Sequence, residues 1–230
     1  MSETAKLLLF DVDGTLILSG GAGLRSVDDA CEMLFGVSDA MADCHPDGKT
    51  DPAIFQEVAR AHLGRALSAA ESEAVANAYL AALAREVPRS PGYEVMPGVG
   101  ALLESLAADA RFVLGLATGN LEQGASIKLA RAGLDRFFAF GGYGSDHEDR
   151  VRLIEVAIAR GCARAGRKFP PEDIVVIGDT TRDIAAARGA GARCVAVATG
   201  STTPEELARG KPDALLEDLS DIDSFLSHLV

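Results

Sequence analysis

Short apolar runs recur along the 230-residue chain. They are KLLLF (6–10), RFVLGLA (111–117), RFFAFGG (136–142), DIVVIG (173–178), RCVAVAT (193–199) and ALLEDL (214–219). Most are continuous rather than alternating, the pattern of strands covered on both faces in a parallel sheet. Helical periodicity fills the segments between them: 98–108 behind Pro97, 121–131, 150–161, 181–189 and 221–229. Strand–helix alternation of this kind predicts an α/β fold with an open, doubly wound, Rossmann-like parallel sheet.

The alternation breaks after the first strand. From Ile17 to about Gly92 no strand pattern occurs, and three helical stretches appear instead: AGLRSVDDACEMLFG, DPAIFQEVARAHLG and SAAESEAVANAYLAALAREV. Glycine- and proline-rich punctuation brackets them, SGGAG (19–23) before and PRSPGYEVMPG (88–98) after. The expected organisation is a core from residues 1–17 and 93–230, with 18–92 as a helical insert. Because the first strand leads straight into it, the insert is expected above the carboxyl ends of the sheet.

The first strand ends in an unusual way. KLLLF runs directly into Asp11-Val12-Asp13-Gly14-Thr15. In extended backbone, residues two apart point to the same side, so both carboxylates are expected to face one crevice. Gly14 then allows a sharp turn. In open α/β sheets, the crevice at the carboxyl ends of the strands is where ligands bind. A second acidic pair, Asp179 and Asp183 in GDTTRD, follows DIVVIG, and its spacing of four suggests one helical face. Two like charges about 4 Å apart repel by roughly 4 kcal/mol at an effective dielectric of about 20. If the two strands lie side by side, the four acids require a cation, and oxygen-only ligands favour a hard one, Mg²⁺ first. The third strand ends in Thr118-Gly119-Asn120 before a helix, a hydroxyl followed by free backbone N–H groups that suits an anion. Arg150 and Arg152 precede the next helix, and either can clamp phosphate oxygens.

Charge and composition narrow the partners. Thirty-four acids against 22 bases give a net charge of -12, which argues against nucleic acid or an anionic membrane. The N-terminal apolar run is too short for a signal peptide, and no run of about 18 apolar residues occurs. Four scattered cysteines form no CxxC pair and read as small apolar residues of a reducing compartment. The expected setting is the cytoplasm, as a monomer or homodimer.

The quartet DVDGTL, LATGN, Arg150 in EDRVRL, and GDTTRD resembles the four motifs of the haloacid dehalogenase superfamily. The helical insert is similar to the small cap of its phosphoglycolate phosphatase-like members. That family usually places a lysine in the third motif, and this chain has none between Lys128 and Lys168, so Arg150 takes the position, with Arg152 as the fallback. The resemblance implies that Asp11 is a nucleophile forming an aspartyl-phosphate and that Asp13 is the general acid and base. It implies Mg²⁺ held by Asp11, the Asp13 backbone carbonyl and Asp179, with Asp183 acting through water. It further implies phosphate held by Thr118, Gly119, Asn120 and Arg150. The GKTD loop (48–51) is expected to bring Lys49 to the substrate carboxylate or leaving group.

The function so implied is Mg²⁺-dependent hydrolysis of a small phosphomonoester, phosphoglycolate first. Three alternatives stand beside it: a β-phosphoglucomutase-type sugar-phosphate mutase, a phosphonatase using Lys49, and a phosphoaspartate signalling or binding module. Asp13 favours phosphatase chemistry, because an alkoxide leaving group needs a carboxylate there.

Overall fold

The computed structural model describes residues 5–229. In chain order its elements are β1 (Lys6–Phe10), β2 (Ile17–Ser19), α1 (Ala22–Phe35), α2 (Asp51–Leu63), α3 (Ala69–Glu86) and β3 (Tyr93–Val95). Next come α4 (Val99–Ala107), β4 (Phe112–Thr118), α5 (Glu122–Ala130), β5 (Gly141–Tyr143), α6 (Arg150–Ala165) and β6 (Ile174–Gly178). The chain ends with α7 (Thr181–Gly189), β7 (Arg193–Val197), α8 (Pro204–Gly210), β8 (Ala214–Leu216) and α9 (Ile222–Ser227).

Among the described residues, six strands form one sheet in the order β5-β4-β1-β6-β7-β8, with every pairing parallel. This is the α/β, Rossmann-like arrangement expected from the continuous apolar runs. The β1 side chains alternate between two cores. Leu8 and Phe10 pack with Val175, Ile177, Val195 and the α4 leucines. Leu7 and Leu9 pack with Val176, Cys194 and residues of α6 and α7. Burial on both faces explains why the strand has no polar alternation. From β1 the chain moves to β4, whereas from β6 it moves the opposite way to β7, so the sheet reverses its winding between β1 and β6. A ligand crevice belongs at such a switch point.

Helices α1, α2 and α3 enclose a third core, built on Val27, Phe55, Val58, Tyr79 and Leu83. Local chemistry sets their ends. Thr50 caps α2 with Pro52 in its first turn, and Ser68 and Glu71 form a reciprocal capping box on α3. Among the described residues, no helix is long and apolar enough to cross a membrane.

Three features differ from the sequence expectation. The chain does not enter and leave the helical insert through bare linkers: β2 and β3 pair antiparallel there, Ile17 opposite Val95 and Ser19 opposite Tyr93. Gly20 and Gly92 lie back to back beside this ribbon, where a Cβ on Gly20 would come 2.4 Å from the Gly92 carbonyl carbon. The aromatic run 136–142 is mostly a turn. Phe137 and Phe138 pack against the core from outside the ladder, and only Gly141–Tyr143 pairs with β4. Helix α8 was not anticipated, although Thr203, Pro204 and Glu206 carry a complete capping box.

Candidate active site

The loop after β1 is drawn into a tight coil. Leu16 and Ile17 both donate backbone N–H to the Val12 carbonyl, and Gly14 takes φ 82°. The bend leaves Asp11 buried beneath the crevice and Asp13 at its edge. The Asp11 amide donates to the Ile177 carbonyl of β6 at 2.9 Å, so the two strand ends are stitched together. Asp179 emerges from β6 beside it, accepting a hydrogen bond from Thr15 Oγ1 at 2.9 Å.

Asp11, Asp179 and Asp183 each bring a carboxylate oxygen within 4.8 Å of the others, and all three are buried. Asp179 and Asp183 are not neighbours along one helix face, as their spacing suggested. Asp179 lies in the strand-to-helix turn, while Asp183 is in the first turn of α7, where it forms a capping box with Thr180. Asp183 Oδ2 accepts from the Thr180 amide at 3.0 Å and from its hydroxyl at 2.6 Å. Glycines leave room for the acids: a Cβ on Gly200 would fall 1.8 Å from Asp179 Oδ2, and one on Gly14 2.3 Å from it.

Arg150 enters this cluster from the first turn of α6. Its guanidinium pairs with Asp183 and lies 3.5 Å from Asp11 Oδ2. Burial works against its charge, yet Asp183 and then Asp11 raise its pKa above the ordinary arginine value. Arg150 Nε is the one buried side-chain polar atom without a partner among the described residues. Arg152 points away, pairing with Glu155 on the exposed side of α6.

One arginine does not neutralise three buried carboxylates. Burial raises the pKa of Asp11, with Arg150 opposing it. Burial also raises Asp179, aided by the charges of Asp183 and then Asp11. Three buried oxygen donors with excess negative charge fit a hard divalent cation.

The β4 loop closes another side. Thr118 Oγ1 accepts from the Asn120 side-chain amide at 2.8 Å, and the same amide donates to Asp13 Oδ2 at 2.8 Å. The backbone N–H groups expected to be free here are partly in use. The Asn120 amide donates to Thr118 Oγ1, and the Leu121 amide donates to Asp51 Oδ2 at 2.8 Å. The GKTD loop lies directly on this loop. Asp51 N–H donates to the Gly119 carbonyl at 2.8 Å, and a Cβ on Gly119 would fall 2.2 Å from the Lys49 carbonyl oxygen. Lys49 lines the crevice, but its ammonium pairs with Glu57 of α2 at 2.5 Å.

Sequence reasoning passed over Lys128, Asp51 and Tyr79. Lys128 Nζ bonds to Asp13 Oδ2 at 2.7 Å and to Asn120 Oδ1 at 2.6 Å. Burial opposes its charge, but Asp13 and Asp51 hold its pKa above the usual lysine value. A signal was present in its spacing, since Gly124, Ala125, Lys128 and Leu129 form the buried stripe of α5. Asp51 is raised to about 6, chiefly by burial. Between the helical insert and the sheet lies a cavity of about 450 Å³, lined by Asp11, Asp13, Lys128 and Arg150 below and by Leu24, Val27, Met41 and Ile54 above.

The molecule is thus a Rossmann-type α/β protein with a buried acidic crevice beneath a helical insert. A family model described as HAD-hydrolase-like matches residues 153–222. The phosphoglycolate phosphatase of Synechococcus elongatus is 27% identical over 220 residues, covering 94% of each chain. Among solved structures, a predicted phosphoglycolate phosphatase from Haemophilus somnus matches with TM-score 0.72 at 23% identity, over 98% of this chain and 100% of that one. CbbY from Rhodobacter sphaeroides, solved with phosphate, matches with TM-score 0.73 at 20% identity, over 95% of this chain and 96% of that one. The chain is similar to the haloacid dehalogenase-like hydrolases over residues 153–222 and to a phosphoglycolate phosphatase along most of its length.

Proposed function

We propose that this protein is a Mg²⁺-dependent phosphatase of small phosphomonoesters, working through an aspartyl-phosphate on Asp11. The observation that carries the reading is the meeting of Asp11, Asp179 and Asp183 around the Arg150 guanidinium, whose buried Nε–H has no partner among the described residues. A buried donor left without an acceptor at the mouth of a cavity suits an incoming oxyanion.

Asp11, Asp179, Asp183 and the Asp13 carbonyl would hold the ion. When bound, it offsets the negative charge that otherwise opposes attack of a carboxylate on a phosphate. In the first step an Asp11 oxygen bonds to phosphorus while the bond from phosphorus to the alcohol oxygen breaks. Asp13 gives its proton to the departing oxygen, which leaves as the alcohol. In the second step water attacks the same phosphorus, the Asp11 oxygen–phosphorus bond breaks, and Asp13 takes the water proton. Inorganic phosphate leaves and both carboxyl groups are restored. Arg150, Thr118 and the Gly119–Asn120 segment orient the remaining phosphate oxygens, a preorganised setting for the charge of the transition state. The insert above the crevice excludes water from the first step.

Phosphoglycolate is the first substrate to assay, because it is what the matched Synechococcus enzyme is named for. The test is phosphate release across a panel of phosphorylated metabolites, with Mg²⁺ and with EDTA. Release from at least one ester that EDTA abolishes supports the reading. Silence across the panel, with phosphate retained on the protein, supports a phosphoaspartate module instead. Transfer of the phosphate to another position of the same sugar supports a mutase.

A further inference from the structure

Lys128 is one of five lysines in the chain and is only 5% exposed. Burying an ammonium is costly unless it is paired and hydrogen-bonded. Its partners are not generic acids. One is Asp13 in the β1 loop, and the other is the side-chain carbonyl of Asn120 in the β4 loop, whose amide end also reaches Asp13. The three side chains form a closed triangle. Both donors converge on the same Asp13 atom, Oδ2, and no described residue donates to Oδ1. The carboxylate is held against rotation with one oxygen occupied and the other presented. The insert contributes to the same place, since Asp51 and the Tyr79 side chain lie beside the lysine at the cavity wall.

We propose that Lys128 is a positioning residue for proton transfer, fixing Asp13 so that Oδ1 alone faces the leaving oxygen. The inference rests on the phosphomonoesterase reading given above. In the first step the Oδ1–H bond breaks as the alcohol O–H bond forms and the phosphorus–oxygen bond to the alcohol breaks. Lys128 keeps its proton throughout and does not touch the phosphate.

A lysine that merely offset buried negative charge would serve every substrate equally, whereas one that aims a proton matters only where the leaving group needs it. An alkoxide requires a general acid; p-nitrophenolate does not. General acid catalysis is worth typically about 10²–10⁴-fold. The experiment compares kcat/KM for an alkyl phosphate, phosphoglycolate first and otherwise the best alkyl ester of the panel, with kcat/KM for p-nitrophenyl phosphate. The ratio of the two does not depend on the fraction of folded enzyme. In Lys128→Met the ratio is expected to fall about 10²-fold, as in Asp13→Asn, because the alkyl ester loses more than p-nitrophenyl phosphate does. Lys128→Arg keeps the charge without the single ammonium geometry and is expected to lower the ratio about tenfold, which decides the matter if the methionine variant is insoluble. Equal losses on both esters, or a ratio unchanged in either variant, overturn the proposal while leaving the phosphatase reading intact. A wild-type protein that hydrolyses neither ester defeats the reading itself.

Discussion

Asp11 and Asp179 leave adjacent parallel strands, and the Asp11 amide is bonded to the Ile177 carbonyl two residues before Asp179. That stitch, rather than any attraction between them, holds two carboxylates together in a buried place where Asp183 adds a third. The backbone of the sheet pays the repulsion, and a cation relieves it.

The first prediction concerns that cation and pH. Burial raises Asp11 and Asp179 above ordinary carboxylates, so the ion-free protein retains protons near neutrality that an ion must displace. Metal affinity therefore increases as pH rises. Adding Mg²⁺ to EDTA-treated protein should raise Tm, and by more at pH 8 than at pH 6. An equal gain at the two pH values, or a larger one at pH 6, contradicts this assignment of the cluster.

Gly200 tests the same cluster sterically. An added Cβ would overlap Asp179 Oδ2, and the displaced carboxylate is expected to lose its place at the ion. Gly200→Ala should need at least about tenfold more Mg²⁺ for half-maximal activity, equivalent to about 1.4 kcal/mol. Titration of activity against Mg²⁺ measures it. An unshifted titration argues that Asp179 is not a ligand.

Gly119 tests the contact between the insert and the crevice. Its missing Cβ lets the Lys49 carbonyl approach, so Gly119→Ala should push the 47–51 loop away. Amide exchange across residues 47–51 is expected to quicken, with KM rising and the melting temperature little changed. Unaltered exchange in that loop would mean the backbone absorbs the methyl group elsewhere.

Asp51 predicts a stability profile. Its carboxyl is raised to about 6, first by burial and against the pull of Lys128. A raised carboxyl stabilises the fold below the unfolded pKa near 4, and that contribution disappears as pH climbs through 6. Relative to Asp51→Asn, the wild type should lose on the order of 3 kcal/mol between pH 4 and pH 7. Denaturant unfolding of both proteins at the two pH values provides the check, and parallel profiles would refute it.

How far the sequence revealed these features follows from the physics of each. KLLLF and DIVVIG announce doubly buried strands because nothing polar survives on either face, and so the α/β class was readable. Asp11, Asp13, Asp179 and Asp183 stood out because acids at the ends of such strands are costly. The β2–β3 ribbon escaped notice because three-residue strands carry too few side chains to show a period. Phe137 and Phe138 misled because aromatic residues anchor turns as readily as strands. Lys128 was hidden for a different reason: a cation on a mostly apolar helical stripe acquires meaning only when the fold delivers Asp13 and Asn120 to it.

The central claim is that a side-chain oxygen of Asp11 carries the phosphoryl group between the alcohol and water. Quenching the enzyme in acid during turnover, reducing with borohydride and sequencing the peptide over residues 7–16 tests it directly. The account predicts homoserine at position 11, formed only when substrate is present and absent from Asp11→Asn, whose turnover should fall by about 10³-fold or more. An unmodified Asp11 in a protein caught releasing phosphate, or an Asp11→Asn variant with full activity, would contradict it.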